Sequence, residues 1–157
     1  MMAETLTDDI KLIVFQLKEK EYTIPVSQVS AIEKVEHITR VPGVKKYVKG
    51  VINLRGVVTP VIDLRLRFDI EEEDYSNSTR VIIVALQDME VGLIVDAAND
   101  VIDVRVDSIE PQPEVVGVVQ AEYISGVAKI EKRLLILLDL EKVLSPEELR
   151  ANLGNEG

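Results

Sequence analysis

Few residues of this chain belong to types that carry chemistry by themselves. The sequence contains no cysteine and a single histidine, His37. Without cysteine there are no thiolate ligands, thiol nucleophiles or disulfides, and one histidine cannot supply a two-histidine metal motif. No glycine-rich phosphate loop of the GxGxxG or GxxxxGK[ST] kind occurs. Carboxylates and arginines therefore remain as the residues from which a functional site could be built.

Two aspartates occupy matching positions directly after apolar runs. Asp63 follows Val61-Ile62, and Asp139 follows Leu137-Leu138. A pair of carboxylates can act as general acid and general base if the fold brings them together. The position after a strand and before a leucine also suits the N-cap of a helix. We favour capping and keep acid–base chemistry as the alternative.

Charge is distributed unevenly along the chain. The formal net charge is −10, which would repel nucleic acid. Residues 34–67 nevertheless carry eight basic and two acidic side chains. Such a region on an acidic protein is either a docking face for an acidic partner or ordinary solvated surface. The acidic run Glu71–Asp74 lacks the spacing and the glycine of a calcium loop, so we expect a solvated tip.

The elements that would position these residues are predicted to be short strands. Valine, isoleucine and leucine dominate the apolar residues, and aromatic residues make up only 4%. This composition favours pleated, half-buried surfaces. Residues 50–64 consist of two apolar runs around Arg55-Gly56, which predicts a β-hairpin with Arg55 at its turn.

The chain also contains an internal repeat. Residues 50–68 align without gaps onto 126–144, so that Gly50 matches Gly126 and Asp63 matches Asp139. Two units of many short strands suit small closed barrels. We therefore predict a mainly β fold with two SH3-like five-stranded β-barrels packed together, short connecting helices and a C-terminal helix. The approximate sub-barrels are 12–68 and 80–144, with exchange of strands between them allowed.

The segment Gly50–Gly56 and the following Pro60–Leu64 resemble the CheW family of bacterial chemotaxis coupling proteins. Further matches lie at Val91-Gly92, Val95-Asp96, Asp100-Val101 and Glu122–Gly126, and the likeness covers roughly residues 10–145. Related modules form the regulatory domain of the kinase CheA and the front half of CheV. The length of this chain favours the stand-alone coupling protein, with residues 1–157 as a single CheW-like domain.

The resemblance implies a function and a binding surface. A CheW-like protein would bridge the cytoplasmic tip of methyl-accepting chemoreceptors to the CheA regulatory domain, without catalysis, cofactor or metal. The arginine of Asn-Leu-Arg-Gly would face the receptor, and residues near the third strand would affect partner binding, with Ala31 or Glu33 at an acidic position. The expected receptor-binding residues are Arg55, Glu33, Ile32, Val29, Asn53 and Leu54.

The location and the competing functions follow from the same observations. The segment Met1–Asp9 lacks the basic and apolar parts of a signal peptide. We expect a cytoplasmic protein at receptor arrays on the inner face of the membrane, with no insertion into the bilayer and no binding to nucleic acid. The alternatives are a small-molecule-sensing or enzymatic β-barrel, a CheV-like fragment and a self-assembling scaffold.

Overall fold

The structure is a computed structural model that describes residues 8–111, 115–116 and 119–154. Short 3₁₀ turns at Val26–Gln28, Val106–Ser108 and Ala121–Tyr123 connect some of its strands. The strands are β1 Asp9–Leu17, β2 Lys20–Pro25, β3 Val29–Lys34, β4 Val48–Leu54, β5 Val57–Asp63, β6 Arg80–Leu86, β7 Met89–Val95, β8 Ala97–Arg105, β9 Val115–Val116, β10 Val119–Gln120, β11 Ile124–Ile130 and β12 Arg133–Leu138. The helices are α1 Leu64–Arg67, α2 Leu140–Leu144 and α3 Pro146–Gly154.

Two five-stranded sheets organise the molecule. The middle sheet has the order β3-β6-β7-β5-β4 and uses strands from residues 29–95. The terminal sheet has the order β11-β12-β2-β1-β8 and combines strands from both ends of the chain. The predicted mainly β fold with a C-terminal helix is confirmed. The ranges 12–68 and 80–144 each supply strands to both sheets, so the sub-barrel boundaries stay a prediction.

Each sheet closes on itself through the segment that follows its edge strand. In the middle sheet, Thr39 exchanges two backbone hydrogen bonds with Val51 of β4, at 2.9 and 2.8 Å. In the terminal sheet, Glu110 does the same with Val127 of β11, at 2.8 and 2.9 Å. A Cβ added to Gly50 would lie 2.1 Å from the Thr39 carbonyl oxygen. Glycine at this position therefore allows the close approach that completes the barrel.

The internal repeat is visible in the backbone. The unit β4–β5–α1 matches β11–β12–α2, with a register shift after the first residue pair of each hairpin. Asp63 donates its amide to the Tyr47 carbonyl at 2.9 Å, and Asp139 donates to the Tyr123 carbonyl at 2.9 Å. One parallel strand pair occurs in each sheet, β5 with β7 and β12 with β2. The two sheets are thus equivalent in strand order as well as in local geometry.

Alternate residues of the same strand pack into different cores. In β1, Leu12 and Val14 belong to a small cluster made only of terminal-sheet residues. Their neighbours Ile13 and Phe15 enter a large cluster shared with the middle sheet. The middle sheet has its own small cluster around Val61 and its neighbouring strands. Both faces of the inner strands are therefore buried, which explains their continuous apolar sequences.

Arg67 connects the two repeats at the junction of the sheets. Its guanidinium carbon lies 4.5 Å from the ring centroid of Tyr47 and 5.1 Å from that of Tyr123, the equivalent tyrosine of the other repeat. Its Nε donates to the Val143 carbonyl at 2.6 Å, near the C-terminus of α2. A cation between two aromatic faces and a helix C-terminus is favoured electrostatically.

A second arginine, Arg65, is buried between the sheets. Its guanidinium donates to both carboxylate oxygens of Asp96, at 2.8 and 2.6 Å. Asp96 also accepts the backbone amide of Lys18 in the β1–β2 turn at 2.7 Å. Arg65 donates further to the Glu71 carbonyl at 2.8 Å and to Glu73 at 3.2 Å. We call the segment that follows α1 and contains the acidic run Glu71–Asp74 the acidic loop. This network joins α1 and the acidic loop to the terminal sheet.

These contacts refine two expectations from the sequence. Arg65 and Arg67 are engaged inside the molecule, so they do not belong to a basic docking face. The acidic run is exposed as expected, but two of its carboxylates are paired, Glu73 with Arg65 at 3.2 Å and Glu72 with Lys49 at 2.7 Å. The remaining basic residues of the 34–67 region are considered below.

Two buried threonines allow a matched test of core packing. Thr23 in β2 is fully buried, and its hydroxyl has no hydrogen-bond partner among the residues that the structure describes. The Thr59 hydroxyl in β5 is equally buried but donates to the Val57 carbonyl at 3.2 Å. We expect Thr23→Val to raise the free energy of unfolding by about 1 kcal/mol, and Thr59→Val to lower it by a similar amount. Urea unfolding measures both; a loss of stability in Thr23→Val would contradict the prediction.

The Arg65–Asp96 pair predicts a specific pH dependence. Burial acts to raise the pKa of Asp96, but the hydrogen bonds from Arg65 and the Lys18 amide bring the pKa below its usual value. The contribution of Asp96 to stability is therefore complete above the unfolded pKa of about 3.9 and is lost as the pH falls through the folded pKa.

We expect Asp96→Asn to lower the free energy of unfolding by about 2 kcal/mol at neutral pH, since Arg65 loses its charged partner. The difference from the unchanged protein should narrow as the pH falls from about 3.9 through the lower folded pKa of Asp96, because the protonated side chain no longer forms the ion pair with Arg65. The matched control is Asp103→Asn, which removes the exposed salt bridge to Lys11 and should change stability by less than about 1 kcal/mol. A pH-independent difference for Asp96→Asn would contradict the assignment.

Candidate functional site

The β4–β5 hairpin presents Arg55 at its tip. Arg55 and Gly56 form a two-residue turn in which both residues have positive φ, 52° and 85°. Such a turn matches the twist of the flanking strands. The Asn53 side-chain oxygen accepts the Gly56 amide at 2.8 Å, which fixes the turn. The Arg55 side chain is exposed and makes no hydrogen bond or salt bridge within the described part of the chain.

A shallow cavity of about 310 Å³ lies next to this turn. Glu33 from the end of β3 lines one side, and Asn53 and Leu54 from the end of β4 line the other. The two strands are the opposite edges of the middle sheet, and barrel closure through Thr39 and Val51 brings them together. Three of the six predicted binding residues therefore share one cavity, with Arg55 directly after them in the chain.

The remaining predicted residues lie along β3. Ile32 is 42% exposed, which leaves its side chain available for contact. Val29 is half-buried and packs against the shared core. The register pairs Val29 with Val84 and Ile32 with Ile82 of β6, with a bulge between Val29 and Ala31. Glu33 lines the cavity, whereas Ala31 packs against the small cluster of the middle sheet.

Two of the predicted residues have structural roles at the site. Leu54 is only 8% exposed and packs in the core of the middle sheet. Asn53 is exposed, but its side-chain oxygen is occupied by the turn. Both position Arg55, whereas Arg55, Ile32 and Glu33 leave side-chain surface accessible to solvent.

The sequence analysis missed an apolar pair beside Arg55. Val57 and Val58 begin β5 and are 57% and 69% exposed. The repeat contained a signal for this exposure, because the residue equivalent to Val57 is the charged Arg133. An arginine at the equivalent position of the other hairpin indicates that this end of the strand is accessible to solvent.

The two aspartates proposed as either caps or an acid–base pair are helix caps. The Asp63 carboxylate accepts the Arg65 amide at 2.9 Å at the start of α1. Asp139 accepts the Glu141 amide at 3.1 Å at the start of α2. Burial raises the pKa of Asp63, although a hydrogen bond from the Tyr75 hydroxyl at 3.0 Å opposes the shift. Each carboxylate caps the N-terminus of its own helix.

Known proteins resemble this chain over most of its length. A family model described as the CheW-like domain matches residues 11–148. This chain belongs to the CheW family. It is 52% identical over 147 residues to the chemotaxis protein CheW of Bacillus subtilis, with 94% of each chain covered. It is 37% identical to the chemotaxis protein CheW of Klebsiella aerogenes, covering 88% of this chain and 84% of that one.

A solved structure shows that the architecture is also that of the CheW family. The crystal structure of the scaffolding protein TtCheW from Thermoanaerobacter tengcongensis superposes with a TM-score of 0.81 at 36% sequence identity. The match covers 87% of this chain and 88% of that one. None of the helices within the described residues has the length and apolar character needed to cross a bilayer. Residues 8–111, 115–116 and 119–154 contain no group of three side chains suited to hold a metal ion.

The turn geometry makes a prediction about stability. A non-glycine residue with positive φ is strained, and asparagine tolerates this conformation better than arginine does. We expect Arg55→Asn, which produces the favoured Asn-Gly turn, to raise the free energy of unfolding by about 0.5 kcal/mol. The matched control is Glu131→Asn at the equivalent turn position, where φ is 56°. Urea unfolding of both variants measures the effect, and destabilisation by Arg55→Asn would indicate a structural role for the arginine.

Proposed function

We propose that this CheW-family protein is a non-enzymatic adaptor that couples methyl-accepting chemoreceptors to the histidine kinase CheA. It binds the cytoplasmic tip of the receptor on one surface and the CheA regulatory domain on another. It acts in the cytoplasm, at receptor arrays on the inner face of the membrane, and needs no cofactor. The observation that carries the proposal is the family match along nearly the whole chain, together with the exposed Arg55 at the tip of its matching hairpin.

The names of the relatives support an adaptor. Those from Bacillus subtilis and Klebsiella aerogenes are chemotaxis proteins, and the solved structure is that of a scaffolding protein. The roles of the carboxylates agree with this function, because Asp63 and Asp139 are engaged as helix caps. An adaptor needs surfaces of defined shape and charge, and the site described above provides one.

The proposed receptor surface combines three kinds of contact. Arg55 offers a planar fork of N–H donors that suits a carboxylate or the carbonyl oxygens at a helix end. Ile32 offers exposed apolar area for the apolar face of a helix, a common mode of helix recognition. Glu33, the residue that follows Ile32 in β3, adds an acceptor at the cavity wall. Val29 supports β3 from the shared core.

The CheA contact is proposed on a different face. By resemblance, the CheA regulatory domain contains the same type of module, so pairing of one barrel with another through exposed apolar residues is expected. We therefore expect substitution of Arg55 to lower the affinity for the receptor but not the affinity for CheA, because it alters only the receptor surface.

The test uses Arg55→Asn, which is expected to raise the free energy of unfolding. We expect Arg55→Asn and Arg55→Ala to weaken binding of a receptor cytoplasmic fragment by about 5- to 150-fold, the range for arginine anchors at interfaces. Arg55→Lys should recover only part of the affinity, since a point charge cannot replace a bidentate fork. Titration against the receptor fragment and, separately, against the CheA regulatory domain measures both contacts.

The control variant is Glu131→Asn, which changes the equivalent turn of the other sheet and should bind the receptor as the unchanged protein does. Because Arg55→Asn is expected to be more stable than the unchanged protein, loss of folding cannot account for its loss of affinity. Full receptor affinity in folded Arg55→Asn would remove Arg55 from the surface. Failure of the unchanged protein to bind either partner would end the adaptor proposal.

A further inference from the structure

A second cavity lies on the other side of the segment that carries Glu36 and Ile38. It has a volume of about 620 Å³ and is enclosed by the connection between β3 and β4, by α1 and by the acidic loop. Its apolar lining includes Val35, Val41, Val44, Leu66 and Tyr75. Tyr75 is 38% exposed, so apolar surface at this cavity remains open to a partner. We call it the Lys46 cleft.

The Lys46 cleft is basic on a protein of opposite net charge. Its lining contains four basic residues, Arg40, Lys45, Lys46 and Lys49, and two acidic ones, Glu36 and Glu72. The formal net charge of the whole chain is −10. This local excess of positive charge attracts carboxylates more strongly than the rest of the surface does.

The cleft already binds carboxylates of its own chain. Lys49 Nζ lies 2.7 Å from Glu72 Oε2, and Lys45 Nζ lies 3.3 Å from Glu148 Oε2. The pKa of Glu72 is lowered mainly by Lys49, with a smaller contribution from Lys46. Arg40 and Lys46 are exposed and form no side-chain hydrogen bond or salt bridge within the described residues. Two cations of the cleft are thus available to carboxylates from another molecule.

The cleft is continuous with the proposed receptor surface. Glu36 and Ile38 line both the Lys46 cleft and the smaller cavity beside the Arg55 turn. A partner that contacts Arg55 and Glu33 therefore needs to extend only across the segment 36–38 to reach the cleft.

We propose that the Lys46 cleft binds an acidic stretch of the same chemoreceptor whose tip contacts Arg55. This inference rests on the proposed function and adds a second, electrostatic contact to it. Carboxylates of the receptor pair with Arg40 and Lys46 at the rim, and an adjacent apolar side chain packs against Val41 and Val44. Rim charges of this kind accelerate association and make the affinity depend on salt.

The test compares two double variants that change the net charge equally. Arg40→Glu/Lys46→Glu reverses the unpaired cations of the cleft. Lys129→Glu/Lys132→Glu reverses two exposed lysines of the β11–β12 hairpin in the terminal sheet. Binding of the full-length chain to a receptor cytoplasmic fragment and to the CheA regulatory domain is measured at low and at high salt, after circular dichroism has shown that both variants are folded.

We expect the cleft variant to bind the receptor fragment about 10-fold more weakly than the control variant at low salt. The difference should shrink at high salt because screening weakens interactions between exposed charges. Binding to the CheA regulatory domain should be the same for the two variants.

Each other result overturns the inference in a distinguishable way. Equal receptor affinity of the two variants, together with weakened binding by Arg55→Asn, would remove the cleft and leave the adaptor function standing. A loss of CheA binding with unchanged receptor binding would show that the kinase occupies the cleft. Failure of the unchanged protein to bind the receptor fragment would remove both proposals.

Discussion

The two sheets depend on the core that they share. Leu12 and Val14 of β1 pack within the terminal sheet, while Ile13 and Phe15 of the same strand face the middle sheet. Small barrels have little interior of their own, so burial between them supplies apolar contact that neither could provide alone. The Arg65–Asp96 pair lies at the edge of this junction and satisfies the polar groups that the packing buries. The packing of the two sheets against each other fixes the position and the orientation of the surface hairpins.

Similar backbones in the two repeats carry different side chains where function is proposed. The turn position that holds Arg55 in one repeat holds Glu131 in the other, with φ of 52° and 56°. Val57 corresponds in the same way to Arg133, which is paired with Glu21 and Asp100. The fold therefore offers two equivalent hairpin tips whose side chains differ at these positions. Divergence of side chains on a repeated scaffold gives the molecule two unlike hairpin ends.

Local signals in the sequence predicted local structure well. The hairpin at Arg55 and the caps at Asp63 and Asp139 depend on neighbouring residues, and each is present. The assignment of strands to sheets depends on distant pairings such as β1 with β8 and β2 with β12, for which the alternation of residues contains no information. Burial of Arg65 was unpredictable for the same reason, because its partner Asp96 lies 31 residues away. The resemblance singled out the Arg55 hairpin as a candidate site but not the exposed Val57 and Val58.

In the sequence, the strands of the middle sheet lie between the early and the late strands of the terminal sheet. This order has a consequence for synthesis on the ribosome. All strands of the middle sheet have been made once residue 95 has been added, whereas the terminal sheet needs both β1–β2 and the late hairpin β11–β12, which ends at Leu138. Strands β1 and β2 thus leave the exit tunnel well before β8 and β12, which pair with them on either side. During that interval the apolar residues of β1 and β2 are exposed in the nascent chain, which makes them natural binding sites for chaperones.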